Sequence, residues 1–280
     1  MKSKIQAFIV RQIVQPYKLP WFRISGQTRQ FQNIRREADR IVSDYVQLRR
    51  QRGDAELDLL QQIIETPHRD SGDYLHDEQA VVELLQLLVA GNETSSNTLS
   101  WTFYLLAKHP EHLVIMREEI EASCNAGEVT YEKLHGLNYA LAVLNEAMRL
   151  YPPFWMIERV ALQADEIGGV AVAAGTTVIP YIYGVHRNAD IWNNPDQFDP
   201  TRFMGKNRRH PFAHIPFGGG PRVCIGQNMA IMQMLLVIVA IVRKYNFKLD
   251  SDREIGTRAL MILRQDSPIN IKFSRIPAPI

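Results

Sequence analysis

The stretch Phe217-Gly-Gly-Gly-Pro-Arg-Val-Cys-Ile-Gly226 decides the fold of this chain. Its three consecutive glycines allow backbone conformations that bring the main chain close to a flat ligand. Arg222 stands two residues before Cys224, so the two side chains can reach different parts of one ligand. A helix is predicted just after Cys224, and its N-terminal amides and dipole favour a thiolate over a thiol. The stretch therefore predicts a thiolate site, with a structural cysteine or a catalytic nucleophile as alternatives.

The composition narrows the class of protein. The chain has 280 residues, 46% of them hydrophobic, which suffices for one large domain or two small ones. Its net charge of +2 predicts no nucleic-acid-binding surface. Two cysteines, Cys124 and Cys224, are too few for a disulfide framework and indicate a reducing compartment. The most apolar stretch, from Met229 to Val242, is shorter than the roughly 20 residues of a membrane span, so no transmembrane segment is expected.

Hydrophobic periodicity predicts a mainly α-helical chain with a minor β-sheet, folded as a single domain over residues 1–280. The predicted helices run from Gln27 to Gln51, Ala55 to Ile64, Glu78 to Lys108, Pro110 to Ala122, Leu137 to Leu150 and Gln227 to Lys244. A β pattern covers Ile157 to Tyr183, and a short hairpin is predicted from Leu260 to Phe273. The helix from Glu78 is apolar on most sides, which is typical of a buried helix.

A polar segment, Ala90-Gly-Asn-Glu-Thr-Ser-Ser-Asn97, interrupts the centre of that long helix. Such a conflict between local composition and burial tends to mark function. The Thr94 hydroxyl can bond the Ala90 carbonyl in place of the backbone amide, which bends a helix. The segment predicts either a groove that holds O2 and relays protons through Thr94 and Glu93, or a kinked core helix with a solvated notch.

Glu146 and Arg149 stand three residues apart on a predicted helix, where their side chains can pair. The spacing alone favours a surface ion pair. The apolar residues around them favour a buried pair, which needs a third partner for the guanidinium, and Arg202 is a candidate.

Two further arginines, Arg159 and Arg222, are candidates for binding carboxylates, because the guanidinium fork matches that group. His186 is a candidate for the same role, or an ordinary loop histidine.

In this order, the motifs resemble those of the cytochrome P450 family of haem-thiolate monooxygenases. The matching motifs are Ala90-Gly-x-Glu-Thr94, Glu146-x-x-Arg149, Pro200-Thr-Arg-Phe203 and Phe217-x-x-Gly-x-Arg-x-Cys-x-Gly226. The resemblance covers about Ala55 to Phe273 and implies the C-terminal, haem-binding portion of the cytochrome P450 fold. The long N-terminal part that the family carries before Ala90 is expected to be lacking.

The resemblance also implies roles for individual residues. Cys224 is expected to be the proximal iron ligand, while Thr94 and Glu93 deliver protons to bound O2. Glu146, Arg149 and Arg202 are expected to form a buried structural triad. The residues implied in haem binding are Arg222, Arg159, His186, Phe217, Gly218 and Gly226. The two arginines and the histidine among them are expected to bind the haem propionates. Those implied in substrate binding are Leu87, Ala90, Gly91, Phe154, Trp155, Met156, Leu260 and Met261.

The function implied is insertion of one oxygen atom from O2 into an apolar organic substrate, such as a fatty acid, alkane or terpenoid. The cofactor is haem b (iron protoporphyrin IX). The chain has no dinucleotide fingerprint and no iron–sulfur cysteine spacing, so electrons from NAD(P)H are expected through a ferredoxin or a flavoprotein reductase. Arg208, Arg209, Arg243 and Lys244 are candidates for docking that partner, or an ordinary solvated charge run.

Two other classes of function stay open. One is a truncated, non-catalytic family member that binds haem weakly or not at all, and the other is a helical membrane-associated protein. A cytoplasmic, soluble location is expected, and membrane association through the lacking N-terminal part stays open.

Overall fold

The computed structural model describes residues 8–12, 15–52, 58–67, 72–124, 129–205 and 209–277. Its α-helices are α1 (Leu19–Ile24), α2 (Gln27–Arg52), α3 (Leu59–Glu65), α4 (Asp77–Lys108), α5 (Pro110–Cys124), α6 (Tyr131–His135), α7 (Asn138–Leu150), α8 (Ile182–Val185) and α9 (Gln227–Val242). Its strands are β1 (Arg159–Val160), β2 (Asp165–Ile167), β3 (Val170–Val172), β4 (Thr177–Val178), β5 (Tyr245–Leu249), β6 (Thr257–Ala259), β7 (Leu263–Gln265) and β8 (Ile271–Arg275). The predicted fold class, mainly helical with small sheets, is confirmed.

The predicted helix boundaries agree with the structure to within a few residues. The exception is the helix predicted from Ala55, because α3 begins at Leu59 and residues 53–57 lie outside the described ones. Asp58 caps α3, since its carboxylate accepts the Gln61 amide at 2.8 Å. No described helix is long and apolar enough to cross a membrane.

The chain divides into two compact units, residues 1–93 and 94–280. In the first unit, α2 and α3 bury Val42, Val46, Leu60 and Ile64 together with residues at the start of α4. The single-domain organisation expected from sequence stays a prediction.

Burial in the first unit is more limited than its apolar residues suggest. Ile41, Tyr45 and Leu48 follow helical spacing on α2 but are exposed. The expected burial of the long helix was wrong in part, because Leu88 and Val89 on α4 are more than 60% exposed. Helical periodicity shows which residues share a face, but only a packing partner removes that face from water.

The second unit has its core between the C-terminal half of α4 and the helices α5, α7 and α9. Trp101, Met116, Leu144 and Ile238 come one from each of these helices and are fully buried. The Glu119 carboxylate on α5 accepts the first amides of α7, at 2.7 and 2.9 Å, and so satisfies donors that a helix start leaves unpaired. The helix that carries Glu146 and Arg149 is therefore tied to the core at its N-terminus.

The strands form two-stranded antiparallel sheets, which pair β1 with β4, β2 with β3, β5 with β8, and β6 with β7. The predicted C-terminal hairpin was therefore wrong in part. β6 and β7 do make a tight hairpin, whereas β8 pairs with β5, which directly follows α9. Pairing between distant segments leaves no local signal in the sequence.

Candidate functional site

The loop around Cys224 is shaped by two glycines and a short ladder of hydrogen bonds. Gly218 and Gly220 have φ of +76° and +70°, a region that residues with a Cβ rarely occupy. The Gly218 amide donates to the Ile215 carbonyl at 3.0 Å, and the Cys224 amide donates to the Phe217 carbonyl at 3.0 Å. These bonds fold the loop back on itself and present Cys224 just before α9.

The Cys224 thiol is exposed, whereas Cys124 is fully buried in the core. Its neighbours are apolar and equally uncovered: Val223, Ile225 and Met229 are 49%, 94% and 61% exposed. Exposed apolar side chains beside a free thiol are costly in water. This surface therefore suits a flat, largely apolar ligand that contacts the sulphur.

Glu146 and Arg149 form a fully buried ion pair, with Arg149 Nε 2.7 Å from Glu146 Oε2 and Arg149 Nη2 2.8 Å from Glu146 Oε1. The remaining donors of Arg149 reach the carbonyls of His186, Pro195 and Gln197 at 2.8, 2.6 and 3.2 Å. All five guanidinium N–H groups are thus used. The surface alternative weighed from sequence is excluded for this pair.

Arg202 completes the cluster from a short helical turn, Pro200–Phe203. Its Nε lies 3.3 Å from Glu146 Oε1, and its other nitrogens donate to the carbonyls of Asn193 and Asn194. The structure therefore brings the three predicted triad residues together. Their contacts hold the segment between α8 and the cysteine loop against α7.

The candidate haem-binding residues occupy different environments. Arg222 and Arg159 are exposed on the cysteine loop and on β1, and Phe217, Gly218 and Gly226 are partly buried. His186 is fully buried, and its Nε2 accepts the Ile215 amide at 2.9 Å. Because neither of its ring nitrogens reaches the surface, the structure gives no support to its predicted contact with a propionate.

Glu93 and Thr94 are half-buried neighbours on α4, at the boundary between the two units. The helix is assigned as continuous from Asp77 to Lys108 through this polar segment. A hydroxyl does bond a helix carbonyl one turn further along, where Thr98 donates to the Thr94 carbonyl at 3.0 Å. The predicted proton-delivery role of Glu93 and Thr94 stays a prediction.

Part of the predicted substrate set is brought together within the second unit. Trp155 donates its indole N–H to the Leu260 carbonyl at 2.9 Å, and the Leu263 amide donates to the Pro153 carbonyl at 2.8 Å. Phe154 and Met261 are exposed on these two segments. The candidates of the first unit, Leu87, Ala90 and Gly91, are exposed on α4.

Sequence reasoning missed Asn97, which is buried on α4 and donates its amide to the Leu263 carbonyl at 2.9 Å. It anchors the β6–β7 turn to the helix that carries Thr94. The sequence did contain a signal for this residue, because a side-chain amide in a helix predicted to be buried needs a hydrogen-bond partner.

The candidates for docking an acidic partner differ in how far their side chains are exposed. Arg209 faces inward, with its guanidinium 4.6 Å from the Trp192 ring and bonded to the Arg202 carbonyl, and burial lowers its pKa. Lys244 is exposed and Arg243 is half-buried after α9. Arg208 lies outside the described residues.

A family model described as Cytochrome P450 matches residues 1–273. Cytochrome P450 734A5 from Oryza sativa subsp. japonica is 41% identical over 191 residues, covering 66% of this chain and 36% of that protein. Cyclooctat-9-en-7-ol 5-monooxygenase from Streptomyces melanosporofaciens is 33% identical over 210 residues, covering 74% and 46%. A solved structure, described as the crystal structure of cytochrome P450DA heme domain, has a TM-score of 0.89 at 26% identity and covers 98% of this chain and 60% of that one.

The chain belongs to the cytochrome P450 family. The family match confirms the resemblance and extends it towards the N-terminus, beyond the predicted start at Ala55. The chain spans less than half the length of these two curated relatives. The described residues fit the haem that the family implies, because an exposed thiol, exposed apolar neighbours and Arg222 lie on one glycine-rich loop.

Proposed function

We propose that this chain forms the thiolate half of a haem monooxygenase, which inserts one oxygen atom from O2 into an apolar organic substrate. The observation that carries the proposal is the exposed Cys224 thiol among uncovered apolar side chains, in a loop where the Cys224 backbone amide donates to the Phe217 carbonyl. The activities for which two relatives are named support the reaction class: a monooxygenase from Streptomyces melanosporofaciens and lithocholate 6-beta-hydroxylase from Mesocricetus auratus.

Haem b, when bound, would supply the iron that activates O2, and a thiolate ligand favours O–O cleavage. Cys224 would be that ligand. It stands three residues before Gln227, where α9 begins. Phe217 would shield the sulphur from water, and Arg222 and Arg159 would bind the propionates through their guanidinium forks.

Thr94 and Glu93 would hold and move protons. The substrate would contact the apolar segments that carry Phe154, Trp155 and Met261. Fatty acids, alkanes and terpenoids fit such a surface. Two side-chain hydrogen bonds, from Trp155 to the Leu260 carbonyl and from Asn97 to the Leu263 carbonyl, support a site with a defined shape rather than a loose loop.

Electrons would come from NAD(P)H through a ferredoxin or a flavoprotein reductase. Among the described docking candidates, Lys244 is exposed and could meet an acidic surface, whereas Arg209 is turned towards Trp192. Charge complementarity at such a surface raises the association rate and makes it depend on salt.

One experiment tests the proposal. The purified chain is mixed with haem, reduced and exposed to CO, and its Soret band is recorded. We expect the red-shifted band of a thiolate-ligated haem. Cys224→Ser abolishes it, while the matched control Cys124→Ser, at the buried cysteine, keeps it. If the wild-type chain retains no haem, the chain is the non-catalytic alternative and the proposed activity fails.

A further inference from the structure

Two histidines, His186 and His214, connect the helix that carries Glu146 and Arg149 with the residues that precede the cysteine loop. His186 has a bond at each end: its backbone carbonyl accepts Arg149 Nη1 at 2.8 Å, and its ring Nε2 accepts the Ile215 amide at 2.9 Å. The Ile215 carbonyl in turn accepts the amide of Gly218. A continuous set of hydrogen bonds therefore runs from Arg149 through His186 into the loop that presents Cys224.

His214 supplies a second tie between the same two regions. Its ring Nε2 lies 3.2 Å from the carbonyl of Asn145, the residue before Glu146, and must donate because a carbonyl only accepts. The two imidazole rings pack against each other with centroids 5.1 Å apart. The residues that precede the cysteine loop are thus attached at two points, to α7 directly through His214 and to His186 through the Ile215 amide.

The bond to Ile215 requires a particular form of His186. Nε2 can accept an amide only when it carries no proton, so the proton of the neutral ring is on Nδ1. The charged groups around the ring are Arg149, Arg187 and His214, and burial lowers its pKa to about 4. Burial first, and then the charges of His186, Arg149 and Arg209, hold the pKa of His214 well below its usual value.

We propose that His186 is a positioning residue for the Cys224 thiolate, acting through the Ile215 amide, with His214 as a second tie. The inference rests on the proposed function only in its last step, from loop position to iron ligation. Without the Nε2 acceptor, the Ile215 amide is left unpaired, and the loop can rotate away from α7. The position of the Cys224 sulphur is then less well defined, which would weaken its bond to the iron.

The variants are chosen to separate this hydrogen bond from simple packing. His186→Phe keeps a ring of similar size and removes the acceptor. His186→Gln has an amide oxygen at the distance of Nε2 and restores it. His135→Gln changes a histidine exposed on α6 and serves as the matched control.

The first readout uses the chain without haem. Nitrogen-15 NMR of the ring shows whether His186 carries its proton on Nδ1, and hydrogen exchange reports the Ile215 amide. We expect the Nδ1–H form, at least tenfold faster exchange at Ile215 in His186→Phe, unchanged exchange in β5, and recovery in His186→Gln. A Nε2–H ring, or equal acceleration in β5, overturns the inference whatever the chain does with haem.

The second readout uses the haem-loaded chain. With CO, His186→Phe is expected to shift a large share of the Soret absorbance from the thiolate position to that of a protonated thiol, and to raise the reduction potential. His186→Gln should return both to wild type. A His186→Phe protein with wild-type spectrum and potential refutes the inference while leaving the proposed function intact. A wild-type chain without a thiolate band refutes the proposed function, and the haem-free readout still decides the role of His186.

Discussion

Replacing Arg149 by methionine is expected to destabilise the second unit by about 4 kcal/mol or more. Removing one partner of a buried ion pair costs about 3–5 kcal/mol, because the other charge stays buried without compensation. Arg202 Nε, at 3.3 Å from Glu146, offsets part of that loss. The carbonyls of His186, Pro195 and Gln197 also lose their donor, and each costs on the order of 1 kcal/mol if it stays dry.

The assay is urea unfolding followed by circular dichroism. With a slope of about 2 kcal/mol per molar, the loss corresponds to a midpoint lowered by about 2 M. The matched control is Arg40→Met, because Arg40 and Glu37 have the same spacing on α2 but are both about 60% exposed. That change is expected to cost less than about 0.5 kcal/mol.

A double-mutant cycle sharpens the test. Glu146→Leu with Arg149→Met removes both charges, so the pair should cost clearly less than the sum of the two single changes. An Arg149→Met protein within about 1 kcal/mol of wild type, or a strictly additive double mutant, would refute the reasoning that a buried charge and its carbonyls set the stability here.

Three further predictions concern pH, packing and reactivity. Because burial lowers the pKa of His186 to about 4 from the usual 6.5, the unfolded chain binds more protons between these values. The free energy of unfolding should therefore be highest above pH 6.5 and fall by about 3 kcal/mol towards pH 4. Urea unfolding at several pH values measures it in wild type and in His186→Phe. If wild type loses no more stability than His186→Phe between pH 6.5 and pH 4, the prediction is contradicted. Asn97→Leu should lower the free energy of unfolding by about 1–2 kcal/mol and loosen the β6–β7 turn, which faster amide exchange in β7 would show. The control is Ser100→Ala, at an exposed position on the same helix. Iodoacetamide should modify Cys224 but not Cys124 in the native chain, as mass spectrometry of the peptides will show, and equal labelling of both would contradict the burial assigned to them.

Much of the helical framework could be predicted, because an amphipathic or apolar run shows its period locally. The pairing of Glu146 with Arg149 could be predicted from their spacing, but its burial was one of two alternatives, since a helix places residues three apart side by side wherever it lies. Burial of α4 was predicted wrongly at Leu88 and Val89, because the same apolar run is compatible with an uncovered helix.

The sequence by itself determined the cysteine loop, with the helix that follows it, and the motifs that identify the family. These depend on residue types at fixed short spacings, such as glycines that permit a positive φ and a cysteine just before a helix start. Only the tertiary structure decided the partners of Arg149, the anchor at Asn97 and the bond from His186 to Ile215. Those partners are backbone groups 29 to 166 residues away. Every residue carries the same carbonyl and nearly every residue the same amide, so the sequence does not distinguish the one that a side chain will meet.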